Sequence, residues 1–295
     1  MKRYVLTAGT KYVDIDVLAC AIALSEILAL DNIKSSIFLP GPFNGTIPKK
    51  FHHYKESFID KLEDVDRYIL LDISDPNHID SKISLDAIDF VFDHHYGYEK
   101  FWKDRLCQKA IIEPVGACAT LIAEKAIDSL HQLSQDSIHL LLLAIISNTL
   151  CFKANVTSDR DKKIFDLLLP LSCFSENWIE SYYKEIEDGF LEDIDNNIKN
   201  DTKIIDGFHF TQIELYKIDN FLKKHSLSSI NNLMNNLFEH WVLSLVHIEK
   251  NENILLFSSV SLSNLFQEKI SFIKKEHGVF KTNRLCLRKE FLKYL

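Results

Sequence analysis

The chain has 295 residues, 46% hydrophobic and 26% charged, with a formal net charge of −8. That length predicts two domains, and the apolar content is ample for a core in each. The acidic balance excludes a general nucleic-acid binder, which needs a basic surface against phosphates, and no apolar run reaches the ~18–20 residues that span a bilayer.

The N-terminus enters a strand at Tyr4-Val5-Leu6 without the apolar region of a signal peptide. Cys20, Cys107, Cys118, Cys151, Cys173 and Cys286 are scattered, with no Cys-x-x-Cys pair. This predicts a reducing, cytoplasmic setting rather than a disulfide framework or a zinc site. After the first strand come Ala8-Gly9 and an apolar helical stretch from Val17 to Leu30. Ser36-Ile37-Phe38-Leu39, closed by Pro40-Gly41-Pro42, predicts a second strand. Tyr68-Ile69-Leu70-Leu71, ending in Asp72, predicts a third, and Phe90-Val91-Phe92, running into Asp93-His94-His95, a fourth. Helices are expected from about Gly116 to Leu130 and from near Ser134-Gln135-Asp136 through Ile146.

This alternation predicts an α/β fold with a mainly parallel sheet and helices on both faces. The acidic, amide-rich stretch from Glu185 to Asn200 predicts an exposed helix end or a linker, which places the domain boundary between residues 188 and 189. Beyond it, Phe208 to Ile213, Trp241 to Ile248 and Ile254 to Ser258 are strand-like runs separated by helical ones. A smaller C-terminal α/β domain with a mixed sheet is expected there.

In a parallel sheet, ligands bind beyond the carboxyl ends of the strands. Asp14, Asp16, Asp72, His94 and His95 would converge on that edge. Several carboxylates in one place repel unless a cation sits among them. Carboxylate oxygen mixed with imidazole nitrogen suits Mn²⁺ or a related divalent ion, Mg²⁺ included. An acid reachable from two sides, as Asp72 is expected to be, bridges a metal pair of the kind that hydrolyses phosphate bonds. The competing reading makes Asp14 and Asp16 caps of the helix near Val17. His52, His53 and His78 lie in polar loops and are expected to face solvent. Cys118 and Cys151 are expected core thiols. For Arg284, Arg288, Lys289 and Lys293 the alternative to a functional cluster is a solvated basic tail.

Asp93-His94-His95 resembles the signature of the DHH phosphoesterases. The fuller pattern resembles the branch that holds the manganese-dependent (family II) inorganic pyrophosphatases, the cytosolic exopolyphosphatases and the prune proteins. Gly9 to Asp16 is similar to that branch's first motif, Leu70-Leu71-Asp72 to its second, and Glu113 to Thr120 to the EPVG-x-x-AT segment. Ser147 to Asp161 is similar, without a gap, to the SDTLLFK…TDRD stretch. Asp201-Thr202-Lys203 and Arg288-Lys289 resemble the lysine and Arg-Lys signatures of the DHHA2 domain.

The resemblance implies a DHH metal-binding catalytic domain over residues 1–188, a substrate-clamping DHHA2 domain over 189–295, and an active site in the cleft between them. It implies Asp14, Asp16, Asp72, His94 and Asn148 as metal positions, with Asp72 bridging two divalent ions (Mn²⁺, or Mg²⁺ or Co²⁺). His95 would contact substrate and assist proton transfer, and Asp93 would orient the imidazoles. Lys203, Arg288 and Lys289 would clamp the terminal phosphate. The implied activity is hydrolysis of phosphoanhydride bonds in pyrophosphate or short polyphosphate. The expected partner is a small phosphate-containing substrate, with no nucleic acid and no membrane; a homodimer is compatible. Two positions depart from the pattern. Thr10 stands where pyrophosphatases have histidine, and Asn148 where relatives have aspartate. Both replace a ligand by a neutral group, so the alternative is a catalytically weakened or inactive phosphate- or partner-binding relative. Nuclease relatives carry a Gly-Gly-Gly-His motif, and this chain has no Gly-Gly pair.

Overall fold

The structure, a computed structural model, describes residues 3–63, 67–276, 279–291 and 293–294, the side chains of Glu276 and Lys289 excepted. Its contacts divide the chain into two compact units, Met1–Phe152 with Val156–Trp178, and Lys153–Asn155 with Ile179–Leu295.

The first unit is built on β1 (Tyr4–Thr7), β2 (Ser35–Phe38), β3 (Arg67–Leu71), β4 (Ile88–Asp93) and β5 (Ala110–Ile112). Their spatial order is β2-β1-β3-β4-β5, and every pair is parallel. The strand centres Val5-Leu6, Ile69-Leu70-Leu71 and Phe90-Val91-Phe92 are apolar, as a sheet covered on both faces requires. Helix α1 (Ile15–Leu30) is apolar on every side: Leu18, Ala19, Cys20, Ala21, Ala23 and Leu24 are all fully buried. Such a helix belongs between other elements rather than on a surface. It packs against α3 (Cys118–Lys125) and α4 (Gln135–Thr149), which follow α2 (Glu99–Leu106) in the chain. Another core gathers Val5, Tyr68, Leu70 and Val91 around Trp102 of α2. The indole of Trp102 is satisfied by donating to the Ser74 carbonyl at 2.7 Å.

The helix expected from Gly116 to Leu130 is shorter than the sequence suggested. It stops at Lys125, and Asp128-Ser129 turns the chain, with Ser129 N donating to Ala126 O at 2.8 Å. Helix α5 (Asp159–Leu168) starts with a capping box formed by Ser158 and Asp161.

In the second unit the stretch from Glu185 to Asn200 is helical. It forms the end of α6 (Trp178–Glu192) and most of α7 (Ile194–Asp201), interrupted at Asp193. Then follow β6 (Lys203–Ile205), β7 (Phe208–Leu215), α8 (Ile218–Lys224), α9 (Leu227–Leu237), β8 (Trp241–His247), β9 (Glu252–Phe257), α10 (Val260–Lys269), β10 (Ile273–Glu276), β11 (Val279–Thr282) and α11 (Arg288–Phe291). The six strands form one mixed sheet in the order β10-β11-β9-β8-β7-β6, in which β7 and β8 run parallel and the other pairs antiparallel.

The two-residue period of a strand sorts its side chains onto two layers. Ile213, Leu215, Leu243 and Leu245 join one core with Phe221 and Met234. Phe208, Phe210 and Val242 join the other with Phe266 and Phe291. Among the described residues no helix is long and apolar enough to cross a membrane.

Candidate metal centre

The Asp-His-His triplet stands where β4 ends, and its geometry is set by its own aspartate. Asp93 is fully buried. Its Oδ1 accepts from the backbone N–H of His94 (2.8 Å) and of His95 (3.2 Å), and lies 2.8 Å from His95 Nδ1. Burial alone would raise the Asp93 carboxyl, but the bonds and charge of His95 hold it below the usual range. The same hydrogen bond lifts His95 above its ordinary value. The His94 ring is held from outside the motif, with Nδ1 3.0 Å from Val115 O. Its Nε2 is thereby turned toward the carboxylates, 3.3 Å from Asp72 Oδ1 and 4.0 Å from Asp16 Oδ2.

Asp72 follows β3 directly, with φ at 56°, in the left-handed region. Such a backbone costs a residue with a side chain about 1 kcal/mol or more, and persists where the surroundings dictate it. Here Asp72 N donates to Phe92 O at 2.8 Å, which extends the β3–β4 ladder by one residue and fixes the turn. Asp72 Oδ1 is buried and accepts no hydrogen bond. Asp72, His94 and His95 offer ligand atoms that all lie within 4.8 Å of one another.

Asp14 and Asp16 behave differently. Asp14 caps α1, its Oδ1 accepting from Asp16 N (3.1 Å) and Val17 N (3.0 Å), so the capping role considered from sequence is realised. Asp16 is fully buried and reaches across to α3: Oδ2 accepts from Cys118 N and Oδ1 from Ala119 N, each at 2.8 Å. Ala117, at the α3 N-cap position, has no side chain to satisfy those amides, and the carboxylate supplies the missing cap and meets the positive end of the helix. Burial, followed by the Asp72 charge, pushes Asp14 up to about 6 and Asp16 up to about 8. Burial opposes a charge on His94, yet the contact with Asp72 and the nearby Asp16 carry it to about 10. Three acids close together, two of them raised by burial and by the Asp72 charge, with Asp72 Oδ1 facing imidazole nitrogens at 3.3 and 3.8 Å, fit a divalent cation. The donor types fit as well. Oxygen ligands plus one imidazole, whose other nitrogen is pinned to a backbone carbonyl, suit Mn²⁺ or a neighbouring ion.

The Glu113–Thr120 segment is held by an acid to which sequence reasoning gave no role. Asp161 is fully buried. Its oxygens accept from Gly116 N (2.8 Å), Thr120 Oγ1 (2.6 Å), and Ser158 N and Oγ (2.7 Å each). A Cβ on Gly116 would lie 2.5 Å from Thr149 Cγ2 and 2.9 Å from Asp161 Oδ2, so only glycine lets the loop close this tightly. Val115, which orients His94, immediately precedes that glycine. The capping pattern Ser158-x-x-Asp161 was the available sequence signal.

The two departing residues both turn to backbone. Thr10 Oγ1 donates to His78 O at 3.4 Å, and Asn148 Nδ2 to Ala144 O at 3.2 Å, one turn back in α4. Leu150, Cys151 and Phe152, next in the chain, have φ of 47°, 55° and 64°, three consecutive left-handed residues. Cys118 is fully buried and donates Sγ to Phe92 O at 3.3 Å, whereas Cys151 is half-buried in the turn after α4 rather than helical. His52, His53 and His78 are exposed.

In the second unit Lys203 is exposed on β6. Arg288 opens α11 and pairs with Asp201, Nη1 to Oδ2 at 2.9 Å. The side chain of Lys289 lies outside the described residues. Arg284 pairs with Glu290 at 2.7 Å, which also accepts from Asn155 and from Leu287 N (3.1 Å). The basic segment is therefore tied down at Arg284 and Arg288 rather than freely solvated.

Fold and site together define a two-unit α/β protein whose first sheet carries a candidate divalent-metal centre of aspartates and an Asp-His-His motif. No family model matches the chain. In sequence it is similar to proteins named as probable manganese-dependent inorganic pyrophosphatases. It is 31% identical to that of Lactobacillus gasseri over 105 residues, 36% of this chain and 33% of the relative. It is 27% identical to that of Lactobacillus helveticus over 168 residues, 56% and 53% of the two chains, and 29% identical to that of Exiguobacterium sp. over 168 residues, 54% and 52%. The matches thus span between a third and about half of those relatives.

Over the whole chain the fold is that of a proposed family II inorganic pyrophosphatase from Methanococcus jannaschii, with a TM-score of 0.57 at 22% identity, covering 99% of this chain and 98% of that one. An exopolyphosphatase-related protein from Bacteroides fragilis is also similar, with a TM-score of 0.53 at 13% identity and coverage of 99% and 90%. The chain resembles the manganese-dependent pyrophosphatases in sequence and has the two-domain fold of family II.

Proposed function

We propose that this chain hydrolyses phosphoanhydride bonds in inorganic pyrophosphate or short polyphosphate, using divalent cations, with Mn²⁺ the favoured ion and two as the working number. The observation that carries the reading is the convergence of ligand atoms of Asp72, His94 and His95 within 4.8 Å of one another, with Asp72 Oδ1 buried and 3.3 Å from His94 Nε2. Asp14, Asp16, Asp72 and His94 would hold the ions, and Asn148 would offer at most its amide oxygen. The ions, when bound, supply Lewis-acid charge that acidifies water and neutralises phosphoryl oxygens.

The chain's own groups do the rest. Asp93 fixes the His95 ring and favours its protonated form, so His95 binds a phosphoryl oxygen and passes a proton to the leaving phosphate. Lys203, Arg288 and Lys289 neutralise the phosphoryl group farthest from the metals. A second reading is favoured by Thr10 and Asn148, both neutral and both turned to backbone carbonyls: a relative that still binds metal and phosphate but turns over slowly or not at all.

Phosphate release from pyrophosphate and tripolyphosphate, with Mn²⁺, Mg²⁺ or Co²⁺ and with metal content measured on the same samples, separates the two. Release above background supports the hydrolase; bound metal without release from either substrate supports the second reading.

A further inference from the structure

Arg288 is assigned above to a phosphoryl oxygen, yet much of its guanidinium is already engaged. Nη1 donates to Asp201 O (2.7 Å), Asp201 Oδ2 (2.9 Å) and Phe210 O (3.0 Å), and Nη2 to Asp201 Oδ1 at 3.4 Å. The Arg288 backbone N–H donates to Gln212 Oε1 (2.6 Å), while Gln212 N donates to Asp201 Oδ2 (2.8 Å). The end of α7, the middle of β7 and the start of α11 are thus tied around one guanidinium.

A guanidinium presents five N–H bonds in a rigid plane. Asp201 occupies the end of the fork, Nη1 together with one hydrogen of Nη2. The remaining donors, Nε and the other hydrogen of Nη2, share one outer edge, and no described protein group accepts from Nε. That edge has the spacing for two oxygens of a phosphoryl group. The side chain is 17% exposed, so it is held without being sealed off.

We infer that Asp201 is a positioning residue that turns the Nε–Nη2 edge of Arg288 to the phosphoryl group, an inference that rests on the phosphate reading above. The competing account is a plain stabilising ion pair, and the sign of one substitution divides the two. Asp201→Asn removes a negative charge beside an anion site, which by charge alone tightens anion binding by about twofold at moderate salt. It also weakens the hold on the guanidinium, leaving the Asp201 and Phe210 carbonyls and a neutral amide oxygen, so the outer edge must be ordered at the moment of binding, a loss of about five- to tenfold. Positioning predicts a net loss; charge alone predicts a gain.

The experiment measures calorimetric affinity for imidodiphosphate, a pyrophosphate analogue with a non-hydrolysable bridge, at fixed Mn²⁺. The chains compared are the parent, Asp201→Asn, Arg288→Met and the double variant, with far-UV circular dichroism and thermal midpoints as fold checks. The expected result is about three- to fivefold weaker binding for Asp201→Asn in the parent, and unchanged or slightly tighter binding when the same change is made in Arg288→Met. If Asp201→Asn does not fold, Asp201→Glu enters the cycle, and its displaced carboxylate is expected to weaken binding only while Arg288 is present. Equal losses in both backgrounds, or tighter binding in the parent background, overturn the role of Asp201 and leave the phosphate reading standing. A folded, manganese-loaded parent that binds no imidodiphosphate overturns both.

Discussion

Asp72→Asn removes the charge of the acid at the centre of the site while keeping its shape, and its consequence can be worked out without reference to turnover. Asp72 Oδ1 faces His94 Nε2 at 3.3 Å and His95 Nδ1 at 3.8 Å, contacts an amide oxygen can keep without the charge. The amide therefore fits sterically, and the main effect falls on cation affinity. A cation that binds only the folded protein stabilises it by about 2.7 kcal/mol when present at about 100 times its dissociation constant. If losing the carboxylate weakens binding about 100-fold, the same Mn²⁺ concentration then equals the new constant, and about 0.4 kcal/mol remains. For a unit of this size each kcal/mol moves the midpoint by about 2–4 °C. Scanning calorimetry of the parent with and without Mn²⁺ should show a rise of about 5–10 °C, and of Asp72→Asn a rise of about 1 °C. A variant with the parent's full manganese shift would refute the assignment of Asp72 to the metal. An unshifted parent would refute the metal centre itself.

Restoring charge should act in the opposite direction: Asn148→Asp combined with Thr10→His should tighten Mn²⁺ binding by tenfold or more in calorimetric titration, because each change supplies a ligand where a neutral group now bonds to backbone. Gly116→Ala should cost about 2–3 kcal/mol in urea unfolding, since the new methyl group must displace Thr149 or the fully bonded Asp161; a loss below 0.5 kcal/mol on the scale of ordinary surface changes would show that the loop can shift. His247 is fully buried with neither ring nitrogen hydrogen-bonded, and burial followed by Lys250 holds its pKa below the ordinary 6.5. The unfolded chain therefore binds this proton more readily, so stability is lost as pH falls through about 6.5 and below. His247→Phe should remove that part of the acid loss and add about 1 kcal/mol at neutral pH by deleting unsatisfied polar atoms, read from urea midpoints at pH 5 and pH 8.

Strand–helix alternation, the cap at Asp14, the strands ending in Asp72 and Asp93, and the mixed second domain were all legible in the sequence, because they follow from local rules. An apolar run needs cover, a helix start needs an acceptor, and a parallel sheet brings strand ends to one edge. The short strands β5, β6, β10 and β11 were not legible. Ile273-Lys274-Lys275-Glu276 carries its charges as an edge ribbon and offers little periodic signal.

Only the tertiary structure decided which polar atoms meet. Asp16 and Cys118 are 102 residues apart, yet the carboxylate of one satisfies the amide of the other. Gly116 and Asp161 close a loop that aims Val115 O at His94, and Asp201 takes the guanidinium of Arg288 across 87 residues. Pattern along a chain sets which elements form and which face each buries. Pairing between buried donors and acceptors depends on how those elements stack, and a polar group deprived of water takes whichever partner the packing brings within about 3 Å.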